Sequence, residues 1–527
     1  MKKVFVLCMI AVLILTCTTA CTKKENGDSS ASQVILNGDE IYPVKCDDEL
    51  TFWGGWSEFL QADYADMSQT PLGKALEEQT GVKIKYIHPS SAQQDEQFNI
   101  LLASDDMPDI INHHWNTYSG GPDKAIQEKY IIPLNDLLDK YMPSLNKIIN
   151  DNPDIAKEIK TDSGNYYAVP FIRGDEWLTT FSGLILRKDW LDKAGLELPK
   201  TVDDFENVLR EFKKYSNSAP LVLSSGQIGN FIRMFSTDYG FYLEQGKVKY
   251  GPLDPNFKEA VVKIKKWYDD GLVDKNFLSA DSKYINAAVL NDDSGAYFST
   301  VVSGIGNLLE VKPYDSFDLV AAPNLTPDGR DVPEFSTIAG RVNMNVGAAI
   351  STDCKNVELA ARFLDFGYSE KGHMLYNFGI ENESYTMVDG YPKLTTLLTD
   401  NPDGLGFERI SSRYLKAGSS GLFVQDSRFV EQSLMFPKQQ MDAYKTWSNT
   451  NMREHIMPSI TLKEDEIDEA ANLENDITTY VKENTVSFII GKRNIAEYDD
   501  FINEINKLGI EKLTAMKQSA LERYNKR

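Results

Sequence analysis

The chain has 527 residues, with 55 Lys and Arg against 78 Asp and Glu, a formal net charge of −23. An acidic balance of that size argues against nucleic acid and anionic membrane surfaces as partners, and suits a soluble monomer. Hydrophobic residues make up 42% and aromatic residues 11%, enough for more than one core, and the length suggests two or three domains.

Lys2 and Lys3 open the chain, and Val4 to Leu15 are apolar without a break. That run is shorter than the roughly 20 residues a spanning helix needs, but within the range of a secretory signal. The stretch Thr18-Thr19-Ala20-Cys21 resembles the lipobox of bacterial lipoproteins, with Thr18 where leucine is usual. The resemblance implies that residues 1–20 are a cleaved lipoprotein signal peptide. It also implies that Cys21 carries the acyl groups that hold the chain to a membrane. The polar sequence that follows fits a tether over residues 21–47. Removing residues 1–20 takes away two lysines and no acids. That leaves 53 basic and 78 acidic side chains, a balance of −25.

Beyond the tether, short apolar strands alternate with capped amphipathic helices, the pattern of an α/β protein. Strands are expected at 50–53, 82–87, 109–111, 184–187, 295–300, 317–321 and 345–350. A helix is expected to start at Thr70 as N-cap with Pro71 in its first turn, closing at Gly81. A second opens with Thr201 and Asp204, spaced as a capping box, and carries the stripe Phe205, Val208, Leu209, Phe212. A third runs from Asp254 to Gly271 with Phe257, Ala260, Val261, Ile264 and Trp267 on one face. A fourth starts at Asn356, and the chain from about 430 reads as mostly helical. Trp190, Trp267 and Trp447 read as packing residues.

Catalytic chemistry lacks a motif. Of five histidines, only His113 and His114 are adjacent, and neighbours on a strand point apart. One packed and one exposed histidine is therefore expected, and no metal site. No zinc-protease, nucleotide-binding or nucleophile-elbow motif occurs, so no catalytic residue and no cofactor is expected. Acidic pairs such as Asp203-Asp204 and Asp292-Asp293 read as solvated faces. Past Cys21 only Cys46 and Cys354 remain, free to be bonded or to be two separate thiols.

Several motifs stand in a fixed order. They are Asp105-Asp106-Met107-Pro108-Asp109, Gly164-x-x-Tyr167-Ala168-x-Pro170 and Arg187-Lys188-Asp189-Trp190-Leu191 leading to Ala194-Gly195-Leu196. Phe378-Gly379-Ile380-Glu381 and the helical stretch 488–510 follow. Together they resemble the extracellular solute-binding lipoproteins of ABC transporters, carbohydrate type, of Gram-positive bacteria. The resemblance implies a type II fold of two α/β lobes, discontinuous in sequence, that close on a ligand about a hinge. Lobe one is expected from 48–170 with 345–390, and lobe two from 180–333 with 405–527. Crossovers are expected near 168–180, 334–345 and 385–405. Some relatives carry a calcium loop after the second helix, but here that place reads KKYSNSAPLVL and has no carboxylate, against a cation site.

The implied function is capture of a carbohydrate, an oligosaccharide, for delivery to the permease subunits of an ABC importer at the outer face of the membrane. A sugar offers apolar faces and a rim of hydroxyls, which aromatic and polar side chains match. Trp56 and Trp115 follow strand ends, where open α/β sheets present their binding edge. Arg173, Asp175, Glu176 and Trp177 lie on the first crossover, and Glu381 and Tyr385 near the third. These eight are the expected ligand contacts. The alternative readings are a binder of peptides or other solutes, a sensor, or a secreted polysaccharide hydrolase.

Overall fold

A computed structural model describes residues 31–527 apart from 39, 91–92, 105, 417–420 and 435–436. The signal peptide, Cys21 and Asp105 lie outside the described residues. Two sheets organise the chain. The larger has six strands in the order Val424–Gln425, Val169–Arg173, Val342–Ile350, Ile110–Asn112, Glu49–Trp53 and Lys83–Ile87. Its last three strands run parallel, with Trp53 opposite Ile87 and Phe52 opposite Ile110. The smaller has four strands in the order Leu319–Ala321, Ser182–Arg187, Ala296–Thr300 and Leu221–Val222.

The helices begin where the side chains can satisfy their first free N–H groups. Thr70 Oγ1 accepts from Gly73 N at 2.9 Å at the head of Pro71–Thr80, and Gly81 closes that helix at φ 74°. Thr201 and Asp204 form a reciprocal capping box on Val202–Phe212. Asp254 caps Pro255–Asp269 and Asn356 caps Val357–Phe366. Trp190, Trp267 and Trp447 are all buried, and the Trp447 indole donates to Ala322 O at 3.0 Å.

Each sheet has its own core, and the chain passes between them more often than three crossovers. One core takes residues from Tyr42 to Ile172, from Met344 to Tyr376, and Leu422 and Phe423. Leu178 to Leu325, Phe378 to Leu415 and Phe429 to Met516 pack around the other sheet. Two expectations change. Tyr42 and Val44 are buried in the first core, so the tether gives way to structure before residue 48. The third passage falls between Tyr376 and Phe378 rather than at 385–405, because Tyr385, Leu394 and Leu398 pack in the second core. The chain then returns to the first sheet as the edge strand Val424–Gln425 before leaving again. Cys46 and Cys354 are separate thiols.

Candidate functional site

A cavity of about 1420 Å³ opens between the two lobes. From the first lobe its wall is made by the carboxyl ends of two parallel strands. After Trp53 the chain continues through Gly54-Gly55 to Trp56, and after Asn112 through His113 to His114. These are the positions where an open α/β sheet offers its ligand edge. A Cβ on Gly54 would sit 3.0 Å from the Phe52 ring and 3.1 Å from Asn112 Cβ, so glycine lets the two loops pass close together.

Trp56 is held flat. Its indole stacks on the His88 imidazole, with ring centroids 4.4 Å apart and planes 6° apart. His88 Nδ1 lies 2.9 Å from Gly54 O, and Nε2 accepts from Met67 N at 3.2 Å. That pair of bonds fixes a neutral ring with the proton on Nδ1, and burial lowers its pKa below the ordinary histidine value. The indole is half-buried and lines the cavity.

His113 and His114 both line the cavity with their rings stacked at 5.1 Å and 14°. The expectation of diverging neighbours fails because the strand has ended: His114 has ψ 65°, in a turn rather than extended backbone. His113 is buried against Phe98, and burial brings its pKa down to about 4, with the neighbouring His114 adding to the effect and Asp95 opposing it.

From the second lobe the wall begins at a wide helical turn, Val301–Gly306, after the strand Ala296–Thr300. It contributes Val302 and Gly306, and the short helix after it adds Asn307, Leu309 and Glu310. The helix Phe407–Tyr414 and the residues just past it bring Phe407, Arg409 and Lys416. Farther on, Phe429, Gln440 and Tyr444 add to the lining, with Gln425 from the edge strand of the first lobe's sheet beside them. The wall thus mixes flat aromatic surface with amide and charged groups, the make-up of a site for a solute with both apolar faces and hydroxyls.

The eight expected contacts separate sharply. Trp56 lines the cavity. Trp177 stands one layer back, half-buried, its ring edge-on to Tyr444 at 5.0 Å and 89°, while Tyr444 faces the cavity. Trp115 is a core residue: it is fully buried, and its indole donates to Ile111 O at 3.1 Å. The turn at His114 sends it down into the lobe instead of outward. Tyr385 is also core, packed on Phe378. Arg173 is buried at the first crossover, where its guanidinium donates to Gly340 O at 2.6 Å and lies over Phe171 and Phe181. Asp175, Glu176 and Glu381 are exposed and do not line the cavity. Among the described residues no group of three or more His, Cys, Asp or Glu is placed to hold a metal ion.

Sequence reasoning missed Asn112, His114, Asn307, Phe407, Arg409, Lys416 and Tyr444. The signal for the first two was present, since Asn112 ends and His114 follows the strand that leads to Trp115. The others stand on helical segments or, for Lys416, just past one, and their convergence on one wall has no local signature.

Two α/β lobes, a chain that crosses repeatedly between them and a lined cavity in the cleft define a two-lobed cleft binder. Residues 62–374 match the family of bacterial extracellular solute-binding proteins, and the chain belongs to that family. It is similar to the fructooligosaccharide ABC transporter substrate-binding protein FusA of Streptococcus pneumoniae, 25% identical over 87% of this chain and 88% of the relative. It is also similar to lipoprotein LipO of Bacillus subtilis, 25% identical over 68% of this chain and 72% of the relative. Among solved structures, FusA in complex with kestose superposes with a TM-score of 0.71 at 23% identity, covering 91% of this chain and 99% of that one. The alginate-binding protein AlgQ2 without calcium ion gives a TM-score of 0.70 at 21% identity, over 90% and 98%. At those identities the two structures speak for the fold.

Proposed function

We propose that this protein captures an oligosaccharide between its lobes and hands it to the permease subunits of an ABC importer. The observation that carries the reading is the cavity: at about 1420 Å³ it exceeds the roughly 300–1,000 Å³ typical of a single small-molecule site. Its indole platform at Trp56 and its amide-bearing walls match a chain of sugar rings. The naming of FusA for fructooligosaccharides supports the same class of cargo. Ligand favours the closed arrangement only by its greater affinity for it, so the binder signals occupancy through its shape. In this reading the protein acts as a monomer and turns nothing over.

The anchoring reading rests on the Thr18-to-Cys21 stretch and on the similarity to LipO. Cys21→Ala is expected to release the protein into the medium, and membrane retention of that variant would remove the lipid anchor from the account. Cargo is tested by a thermal-shift screen of residues 31–527 against mono- and oligosaccharides and short peptides. A tight ligand raises stability by mass action, about 2.7 kcal/mol at 100 times its dissociation constant. Stabilisation by one oligosaccharide family with no product on incubation supports the reading. Stabilisation by peptides alone, or consumption of the sugar, overturns it.

A further inference from the structure

Among the described residues, Lys416 is a cavity-lining cation whose charge meets no partner. Its backbone N–H is fixed to Tyr376 O at 2.9 Å, which places it at the cleft where the chain passes between lobes. Its ammonium has no ion pair or hydrogen bond among the described residues. The four residues that follow, 417–420, read AGSS and carry no carboxylate. The other charged groups of the wall do not answer it. Arg409 is already joined to Asp63, and the exposed Glu310 and Glu408 form no ion pair with Lys416. Lys416 and the Trp56 platform line the same cavity. Burial pushes the Lys416 pKa below the ordinary lysine value, so the group is partly stripped of water.

We propose that Lys416 selects for an acidic oligosaccharide, one whose sugar ring beside Trp56 carries a carboxylate that pairs with the Lys416 ammonium. This inference rests on the oligosaccharide reading of the cavity and names its substrate class. A buried lone cation is costly, and a ligand anion recovers that cost, whereas a neutral hydroxyl recovers only part of it. The overall charge of −23 opposes an anion at long range, but that field is screened over about 8–10 Å in physiological salt, and a partly buried pair is screened less.

The test is isothermal titration with di- to tetrasaccharides containing a glucuronate, galacturonate or mannuronate residue, each beside its carboxyl-reduced counterpart. At least one acidic member is expected to bind roughly tenfold to a hundredfold tighter than its reduced twin. Lys416→Met is expected to erase that difference, and Lys416→Arg to keep most of it. If Lys416→Met does not fold, the contrast between acidic and reduced ligands on the natural protein still decides. Equal or tighter binding of the neutral twins, or binding of neutral sugars alone, overturns the inference and leaves the oligosaccharide reading standing. Binding by no saccharide of either kind overturns both.

Discussion

Two carboxylates of the first lobe each reach across to a pair of arginines of the second, and the two grips are built differently. Asp63 meets Arg409 at 3.0 Å and Arg413 at 2.7 Å, beside the cavity that Arg409 helps to line. The Nε atoms of both arginines are buried with no partner. Asp162 meets Arg523 at 2.7 Å and Arg527 at 2.6 Å, and none of these three lines the cavity. Here the remaining donors are used. Arg523 also donates to Ser519 Oγ and Thr461 O, and Arg527 to Lys157 O, Ser459 O and Thr461 Oγ1. Arg409, 41% exposed, can exchange Asp63 for water at little cost, while Arg527, 3% exposed and with its other donors used, is costly to unpair. The contrast predicts that the lobes part first on the Asp63 side and stay joined on the Asp162 side.

Breaking the permanent side is expected to have the largest effect. Asp162→Asn would leave Arg527, whose side chain is 3% exposed, with a buried and unpaired charge. The expected loss is about 3–5 kcal/mol of stability, read as a lower urea midpoint. Ligand affinity, measured under conditions where the variant is folded, is expected to stay close to that of the natural protein. If Asp162→Asn costs no more stability than Asp63→Asn, the two grips are equivalent and the contrast fails.

On the cavity side the next largest effect belongs to Trp56. Trp56→Ala removes the stacked indole platform, and the expected loss is about 2 kcal/mol of binding, roughly thirtyfold. Stability without ligand should change much less, since the indole is half-buried and exchanges one ring contact for water. Trp177→Ala makes the opposite comparison. It withdraws support from Tyr444 one layer behind the wall, so affinity should fall by less than in Trp56→Ala. A larger affinity loss at Trp177 would make it a direct ligand contact.

How much of this could be read in the sequence varies with the distance over which each feature is decided. The four helices with Thr70, Thr201, Asp254 and Asn356 at their heads were legible, because a cap and a 3.6-residue stripe are local facts. So were most strands of the two sheets, down to the glycine pair that leads Trp56 into the cleft, whereas Val169–Arg173, Leu221–Val222 and Val424–Gln425 were not expected. Trp115 was misread because one turn at His114, not a change of residue type, decides whether the next side chain goes up or down. The third passage was misplaced because the apolar pattern of Phe378, Tyr385 and Leu394 is the same whichever core receives it. Asp63 and its two arginines are some 350 residues apart in sequence, and nothing in either segment announces the other.

The Asp63 grip also gives the smallest and most specific prediction, a dependence on pH. Its two arginines hold the carboxyl below the ordinary carboxylate range, Arg413 contributing most and Arg409 next. A carboxylate whose pKa is lowered in one arrangement stabilises that arrangement above the ordinary pKa, near 3.9, and ceases to do so as pH falls through the lowered value. Acid should therefore loosen the lobes on this side, and neutral pH should hold them. The radius of gyration from small-angle scattering, without ligand, is expected to rise as pH is lowered from 5 toward the acid limit of folding. Asp63→Asn should begin at the larger radius and change less over the same range. Other acid-sensitive groups sit near the crossovers: Asp426 beside His373 and Arg428, and Glu334 beside His455. Both are present in natural protein and variant alike, so only the difference between the two curves belongs to Asp63. Curves that coincide would show that the grip beside the cavity does not govern opening.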